Sequence, residues 1–124
     1  GINKVYDLSG LKNVTKTTTY YIAKEEDTSY YIPVTLLENT EKDKVEIIIE
    51  RLKTNPSIQT NLISYLTANT ELTNYEILES EIKLSFSPLL YEGLASQDIE
   101  EEVKYSISLS MQDTLNVDNV TFVE

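Results

Sequence analysis

Residues 82–115 read IKLSFSPLLYEGLASQDIEEEVKYSISLSMQDTL, and the period of their apolar positions changes partway through. In residues 82–87 apolar and polar side chains alternate, so Ile82, Leu84 and Phe86 share one face of a strand while Lys83, Ser85 and Ser87 share the other. Pro88 ends that run. Over residues 95–114 the repeat lengthens: Ile99, Val103, Ile107 and Met111 recur every four residues, with Leu109 and Leu115 widening the stripe. Ser96 is placed to cap this helix, and Asp98, Glu100, Glu101 and Glu102 put negative charge in its first turns, where the helix dipole favours it. A strand followed by a long amphipathic helix therefore anchors the fold.

Working outward, residues 116–119 read as a turn and 120–123 as a closing strand. Upstream, residues 72–79 carry Tyr75, Ile77 and Leu78 and pair with 82–87 as a hairpin turning at Glu79-Ser80-Glu81. Residues 17–23 and 30–37 concentrate Thr, Tyr and Ile and make a first hairpin, with the charged stretch 24–29 as its connection. Pro33 suits an edge position or a bulge. Between the hairpins, Val45, Ile48, Ile49 and Leu52 lie at i, i+3, i+4 and i+7, a helical face over residues 45–54. Thr40-Glu41-Lys42-Asp43 reads as its capping box, and Asn55-Pro56 stops it. Residues 56–68, with Ile58, Leu62, Tyr65 and Leu66, fit either a second short helix or a packed loop. Residues 1–16 read as a lead-in with a short strand near 4–7. The order is ββ-α-ββ-α-β, and two helices on one face of a mainly antiparallel sheet bury all these stripes, an α+β architecture. The domain proper spans residues 17–124.

Composition removes much chemistry. The 124 residues contain no His and no Cys, so a thiol nucleophile, a disulfide, an imidazole base and a Cys/His zinc site are all excluded. The net charge of −11 opposes the counterion displacement that nucleic-acid binding requires, and an anionic membrane would repel it too. Twenty-one acidic residues produce many accidental carboxylate pairs, so a hydrolase built on two carboxylates is the weakest reading. The run Asp98, Glu100, Glu101, Glu102 lacks the spacing of a calcium loop and reads as a solvated first turn, as Glu25-Glu26-Asp27 reads as a charged hairpin tip. No metal site and no cofactor follow from these residues. The sequons at Asn13 and Asn119 read as chance.

The tyrosines stand out. Tyr20, Tyr21, Tyr30 and Tyr31 fall on the first hairpin, two to each face. Cross-strand packing is the plainer reading of them, and an aromatic surface for a partner protein or a glycan is the sharper one.

Several stretches carry a resemblance. A first strand Thr19-Tyr20-Tyr21-Ile22 precedes a second, Ile32-Pro33-Val34-Thr35, and a helix over 45–52 leads into a proline-containing loop. Leu84-Ser85-Phe86-Ser87-Pro88-Leu89-Leu90 follows the second hairpin, and the long helix runs into Val117-Asp118-Asn119-Val120-Thr121-Phe122-Val123. In this layout residues 17–123 resemble the GerM domain of sporulation and spore-germination proteins. Where the family often places a Gly in the second hairpin turn, this chain has Glu79-Ser80-Glu81. The resemblance implies an extracytoplasmic, non-enzymatic interaction module related to ring-building domains of transenvelope complexes, with no catalytic residues. Its expected partners are other envelope or sporulation proteins; the alternative is a peptidoglycan-binding domain. Abundant Asn, Ile and Tyr, and a single arginine, Arg51, resemble the usage of an AT-rich Gram-positive bacterium. The chain starts at Gly1, without Met, and reads as a fragment of a longer protein; the resemblance implies a membrane or lipid anchor upstream of it. With its net charge and with Pro33 on an edge, the isolated domain is expected to be monomeric.

Overall fold

A computed structural model of the chain describes residues 14–54, 61–66, 70–86 and 97–123. The elements follow in the order β1 (Val14–Glu25), β2 (Thr28–Asn39), α1 (Lys44–Leu52), β3 (Leu72–Leu78), β4 (Glu81–Phe86), α2 (Gln97–Leu115) and β5 (Asn119–Val123). This is the ββ-α-ββ-α-β order of an α+β fold. The strand expected near residues 4–7, Pro56, Pro88 and the Ser96 cap lie outside the described residues.

The strands divide between two sheets. β1 and β2 form a long antiparallel hairpin, and β3, β4 and β5 form a second sheet in that order. Within the second sheet β3–β4 is antiparallel and β4–β5 parallel. The parallel pair has a local cause: β4 and β5 are joined through α2, and a helical crossover returns the chain in the same direction. β1 begins at Val14, three residues before the first hairpin was expected to start.

Both hairpins turn through two residues, and in each the first adopts positive φ: Glu26 at 58° and Glu79 at 33°. Neither is glycine, so each Cβ crowds the backbone. Asn116, at φ 58°, ends α2 in the left-handed conformation that Asn tolerates there. Asp118 and Asn119 then donate to the Ser80 carbonyl at 2.7 and 3.1 Å, fixing the start of β5 against the β3–β4 turn.

The cap of α1 corrects the expected capping box. Asp43, not Thr40, is the N-cap: its backbone is extended (φ −68°, ψ 139°) and its Oδ1 accepts from the Val45 amide at 2.8 Å. Thr40 is already committed to the hairpin exit. Its Oγ1 accepts from the Lys42 amide and its carbonyl accepts from Thr15 Oγ1, so it turns the chain before the helix rather than within it.

The core lies among the β1–β2 hairpin, both helices and the second sheet. Val45, Ile48, Ile49 and Leu52 of α1, Val103, Ile107 and Met111 of α2, and Ile82 and Leu84 of β4 are all buried in it. The α1 stripe, the Val103–Ile107–Met111 series and Ile82 and Leu84 of β4 are therefore those the periodicity marks, whereas Ile99, Leu109 and Leu115 are only partly buried. Phe86 is only partly buried; it stacks on Phe122 of β5 with ring centroids 6.2 Å apart. Leu62 and Leu66 are buried in a non-helical segment, residues 61–66, whose Ile63 exchanges two 2.8 Å backbone bonds with Ile22 of β1. Within residues 61–66, the packed loop is what forms.

Candidate functional site

The long helix does more than cover the core. Ser106, Ser110 and Thr114 of α2, spaced i, i+4 and i+8, lie along the edge of β1 that faces away from β2. Ser110 Oγ accepts from the Tyr20 amide at 2.8 Å and donates to the Ser106 carbonyl at 2.7 Å. Ser106 Oγ donates to the Tyr20 carbonyl. Thr114 Oγ1 both accepts from the Thr18 amide and donates to the Thr18 carbonyl, each at 2.9 Å. Three hydroxyls thus satisfy four backbone groups of β1, and the Ile22–Ile63 bridge continues the seal along the strand. A buried strand edge would otherwise carry unpaired amides and carbonyls at about 1–3 kcal/mol each. These three residues carry no signal in an apolar-stripe reading, although their i, i+4 spacing beside the Val103–Ile107–Met111 stripe was there to be seen.

With β1 sealed, the hairpin's free edge among the described residues is β2. Tyr20 directs its backbone to α2, so its partner Pro33 occupies a non-hydrogen-bonded position, where a missing N–H costs the hairpin nothing. That missing donor falls on the outer edge of β2.

The register puts Tyr20 and Tyr31 on one face of the hairpin and Tyr21 and Tyr30 on the other, two to each as expected. Their environments differ sharply. Tyr21 is 3% exposed, and its hydroxyl donates to the Arg51 carbonyl at 3.3 Å; burial raises its pKa, against the lowering pull of Arg51. It belongs to the core and offers a partner nothing. Tyr30 stands half-exposed on that same face. Tyr20 donates to Asp113 Oδ2 at 2.8 Å, a bond that raises its pKa. Tyr31 packs edge-to-face on Tyr105 of α2, ring centroids 4.7 Å apart, and burial followed by the charge of Glu102 raises its pKa. Tyr105 itself is 52% exposed. The four hairpin tyrosines therefore form no single platform, and the aromatic surface recruits a fifth ring that lies off the core stripe of its helix.

Along β2 the same face continues from Tyr31 through Pro33 and Thr35 to Leu37, which is 67% exposed; half-exposed Val14 lies diagonally beside it on β1. At the other end Glu102 closes the patch. It accepts from Lys24 Nζ at 2.8 Å and from Ser29 Oγ, joining both strands of the hairpin to α2. Burial pushes the Glu102 carboxyl up, but the bonds from Lys24 and Ser29 outweigh it and hold the pKa below the ordinary value. Glu100 turns instead to Lys104, at 3.4 Å, so these two members of the acidic run serve different cations. Among the described residues no three carboxylates are grouped to hold a metal ion.

The fold is thus that of a small α+β domain that presents an apolar and aromatic face on its first hairpin. The comparisons say which: the family model "Germane: Sporulation and spore germination" matches residues 18–123, and the chain belongs to that family. It is 31% identical over 129 residues to the spore germination protein GerM of Bacillus subtilis, covering 98% of this chain and 34% of that protein. The tandem GerMN domains of that organism's sporulation protein GerM superpose with a TM-score of 0.74 at 28% identity, over 98% of this chain and 42% of theirs. The first GerMN domain alone gives 0.68 at 17% identity, over 87% and 80%, which bears on the fold alone. The chain thus spans about a third of the curated relative's length.

Proposed function

We propose that this domain is a non-enzymatic, extracytoplasmic module that joins its protein to other envelope or sporulation proteins, anchored by a segment outside this sequence. Its contact surface is the hairpin face bearing Tyr31, Pro33 and Leu37, together with Tyr105 of α2. One observation carries the reading: Tyr105 and Leu37 are more than half exposed on a single face, beside a strand whose opposite neighbour is sealed by α2. Exposed aromatic and aliphatic side chains gathered on one face favour protein contact over solvent. A sugar-binding reading rested on four clustered tyrosines, and the burial of Tyr21 with the opposite facing of Tyr30 weakens it.

Site-specific photocrosslinking tests the proposal in the full-length protein in its own cells. A crosslinker at position 37 or 105 is expected to trap a defined envelope protein. One at position 41, exposed elsewhere on the domain, is expected to trap none. Crosslinking that is equal at all three positions refutes the assignment of the face. Saturable peptidoglycan binding abolished by Tyr105→Ala would establish the glycan reading in its place.

A further inference from the structure

A second surface lies away from the aromatic face, between α1 and β3. There a groove of about 420 Å³ has Glu46 and Glu50 of α1 and its C-cap Lys53 on one wall, and Glu71, Leu72 and Tyr75 on the other. The lining carries three carboxylates, Glu46, Glu50 and Glu71, against the one ammonium of Lys53, and Glu50 also pairs with Lys42 at 3.2 Å. Tyr75 ties the walls together at one end: its hydroxyl donates to Asp43 Oδ2, while Asp43 Oδ1 caps the helix.

Among the described residues β3 pairs on one side only, with β4. Leu78 and Glu81 close its two-residue turn as a hydrogen-bonded pair, so the alternation of an antiparallel ladder turns the amide and carbonyl of Ile77 and of Tyr75 away from β4. Ile77 and Leu78 are 50% and 40% exposed on this strand. Natural edges are blunted by proline, lysine or a bulge. β2 has Pro33. β3 has no proline and no lysine, and its one irregularity, between Leu72 and Asn74, leaves Tyr75 through Leu78 regular. What guards this edge is negative charge, from Glu71 and Glu76 on the strand side and Glu46 and Glu50 across the groove. Such a guard repels a second copy of a chain carrying −11 but attracts a strand of opposite sign.

We infer that the β3 edge accepts an extended basic segment of another protein as an added strand, with its cationic side chains directed into the α1–β3 groove. The periodicity of that ligand follows from the sheet. Tyr75 shares its face with Leu84, the buried side of the sheet, and reaches Asp43 from there. A strand laid beside β3 presents every second side chain on that face, so Lys or Arg at alternate positions meets Glu46 and Glu50. The intervening side chains lie on the outer face. Backbone pairing supplies affinity and the alternating charge supplies selectivity.

The test uses the 124-residue chain and a peptide of about eight residues in which lysine alternates with valine. Binding is expected to weaken as salt rises. It is expected to fall about tenfold in the Glu50→Lys/Glu71→Lys variant, whose two reversed charges both face the groove. Amide exchange is expected to slow at Tyr75 and Ile77 in the bound state. N-methylation at alternate peptide residues is expected to abolish binding in one register and spare it in the other, since only one edge of the peptide meets β3. The inference is overturned if the peptide fails to bind at about 1 mM. It is equally overturned if a peptide with its lysines in one block binds as well, or if protection appears on β2 instead. Because Tyr31, Leu37 and Tyr105 take no part, none of these failures touches the aromatic-face reading.

Discussion

Replacing Ser110 by alanine isolates the contribution of the sealed strand edge. Ser110 is fully buried, and its hydroxyl accepts from the Tyr20 amide while donating to the Ser106 carbonyl. Alanine keeps the backbone and nearly the volume but leaves the Tyr20 N–H facing a methyl group, at a cost of about 1–3 kcal/mol. The Ser106 carbonyl loses a bond that the helix ladder partly replaces, so its share is small. Against this, alanine gains about 0.5 kcal/mol in helix propensity. The unpaired amide wins, and a net loss of about 0.5–2.5 kcal/mol is expected. For a domain of this length that lowers Tm by about 4 °C per kcal/mol. Ser108→Ala, on the same helix but outside the seal, makes the comparison clean because only the propensity gain remains. Urea unfolding followed by circular dichroism reads the difference, with the m-value unchanged if both proteins lose the same surface. Amide exchange at Tyr20 should accelerate in the Ser110 variant alone. Equal stability of the two variants would refute the claim that α2 hydroxyls close the β1 edge.

Other perturbations probe separate features. Thr19 Oγ1 is buried with no hydrogen-bond partner among the described residues, so Thr19→Val should stabilise the fold by about 1 kcal/mol, and a loss in chemical denaturation would show that the hydroxyl is satisfied after all. Glu79→Gly should relieve the positive φ of the second hairpin turn and stabilise by about 1 kcal/mol, less the added entropy of the unfolded glycine, where an equal change in Glu76→Gly would point away from the turn. Glu102 has a folded pKa below its unfolded one, so the unfolded chain takes up its proton first; the contribution is complete above the unfolded value and disappears as pH falls through the folded one, and Glu102→Gln should flatten that acid limb of the unfolding free energy. Tyr75 has the opposite linkage: the bond to Asp43, then burial, raise its pKa to about 12, so its contribution holds below the ordinary tyrosine value and fades towards pH 12, a dependence that Tyr75→Phe should remove from an alkaline unfolding series.

The sequence exposed some levels of this organisation and hid others. Val45, Ile48, Ile49 and Leu52, and the Val103–Ile107–Met111 series, mark their helices because burial against a core imposes a 3.6-residue period on a single segment. The alternation at 82–86 works likewise for β4. The partition into two sheets leaves no such trace, because pairing between strands far apart in sequence depends on what else is packed between them. The cap of α1 is ambiguous in the sequence for a nearer reason: Thr40 and Asp43 are both good caps, and Thr40's bonds to Lys42 and Thr15 in the hairpin exit leave the helix to Asp43. Of the four hairpin tyrosines, the facing was legible from strand parity and the burial was not. Parity says which rings share a face; only the position of α1 and its Arg51 carbonyl puts Tyr21 inside. Tyr105 leaves no mark in the sequence because it falls beside the apolar stripe of its helix, where the period carries no information.

Three of the four outer strands, β1, β2 and β3, show why the faces of this domain are unequal. β1 would be the most dangerous edge, since Thr17, Thr18, Thr19, Tyr21 and Ile22 make it a buried, β-prone run, and it is closed from within by serine and threonine hydroxyls. An internal seal costs the surface nothing and leaves no site. β2 is protected by a missing donor at Pro33, which blocks backbone pairing yet leaves the side-chain face beside it open, so a partner there must be recognised through Tyr31, Leu37 and Tyr105. β3 keeps its donors and is protected by charge alone, a device that discriminates by sign. A covalent block such as proline acts against every strand; a carboxylate acts only against strands that are themselves acidic or apolar, because a basic one converts the penalty into attraction. Under the two proposals above, β2 and β3 therefore select by different chemistry, side-chain shape on β2 and backbone plus charge on β3, so that two partners would not compete for one surface.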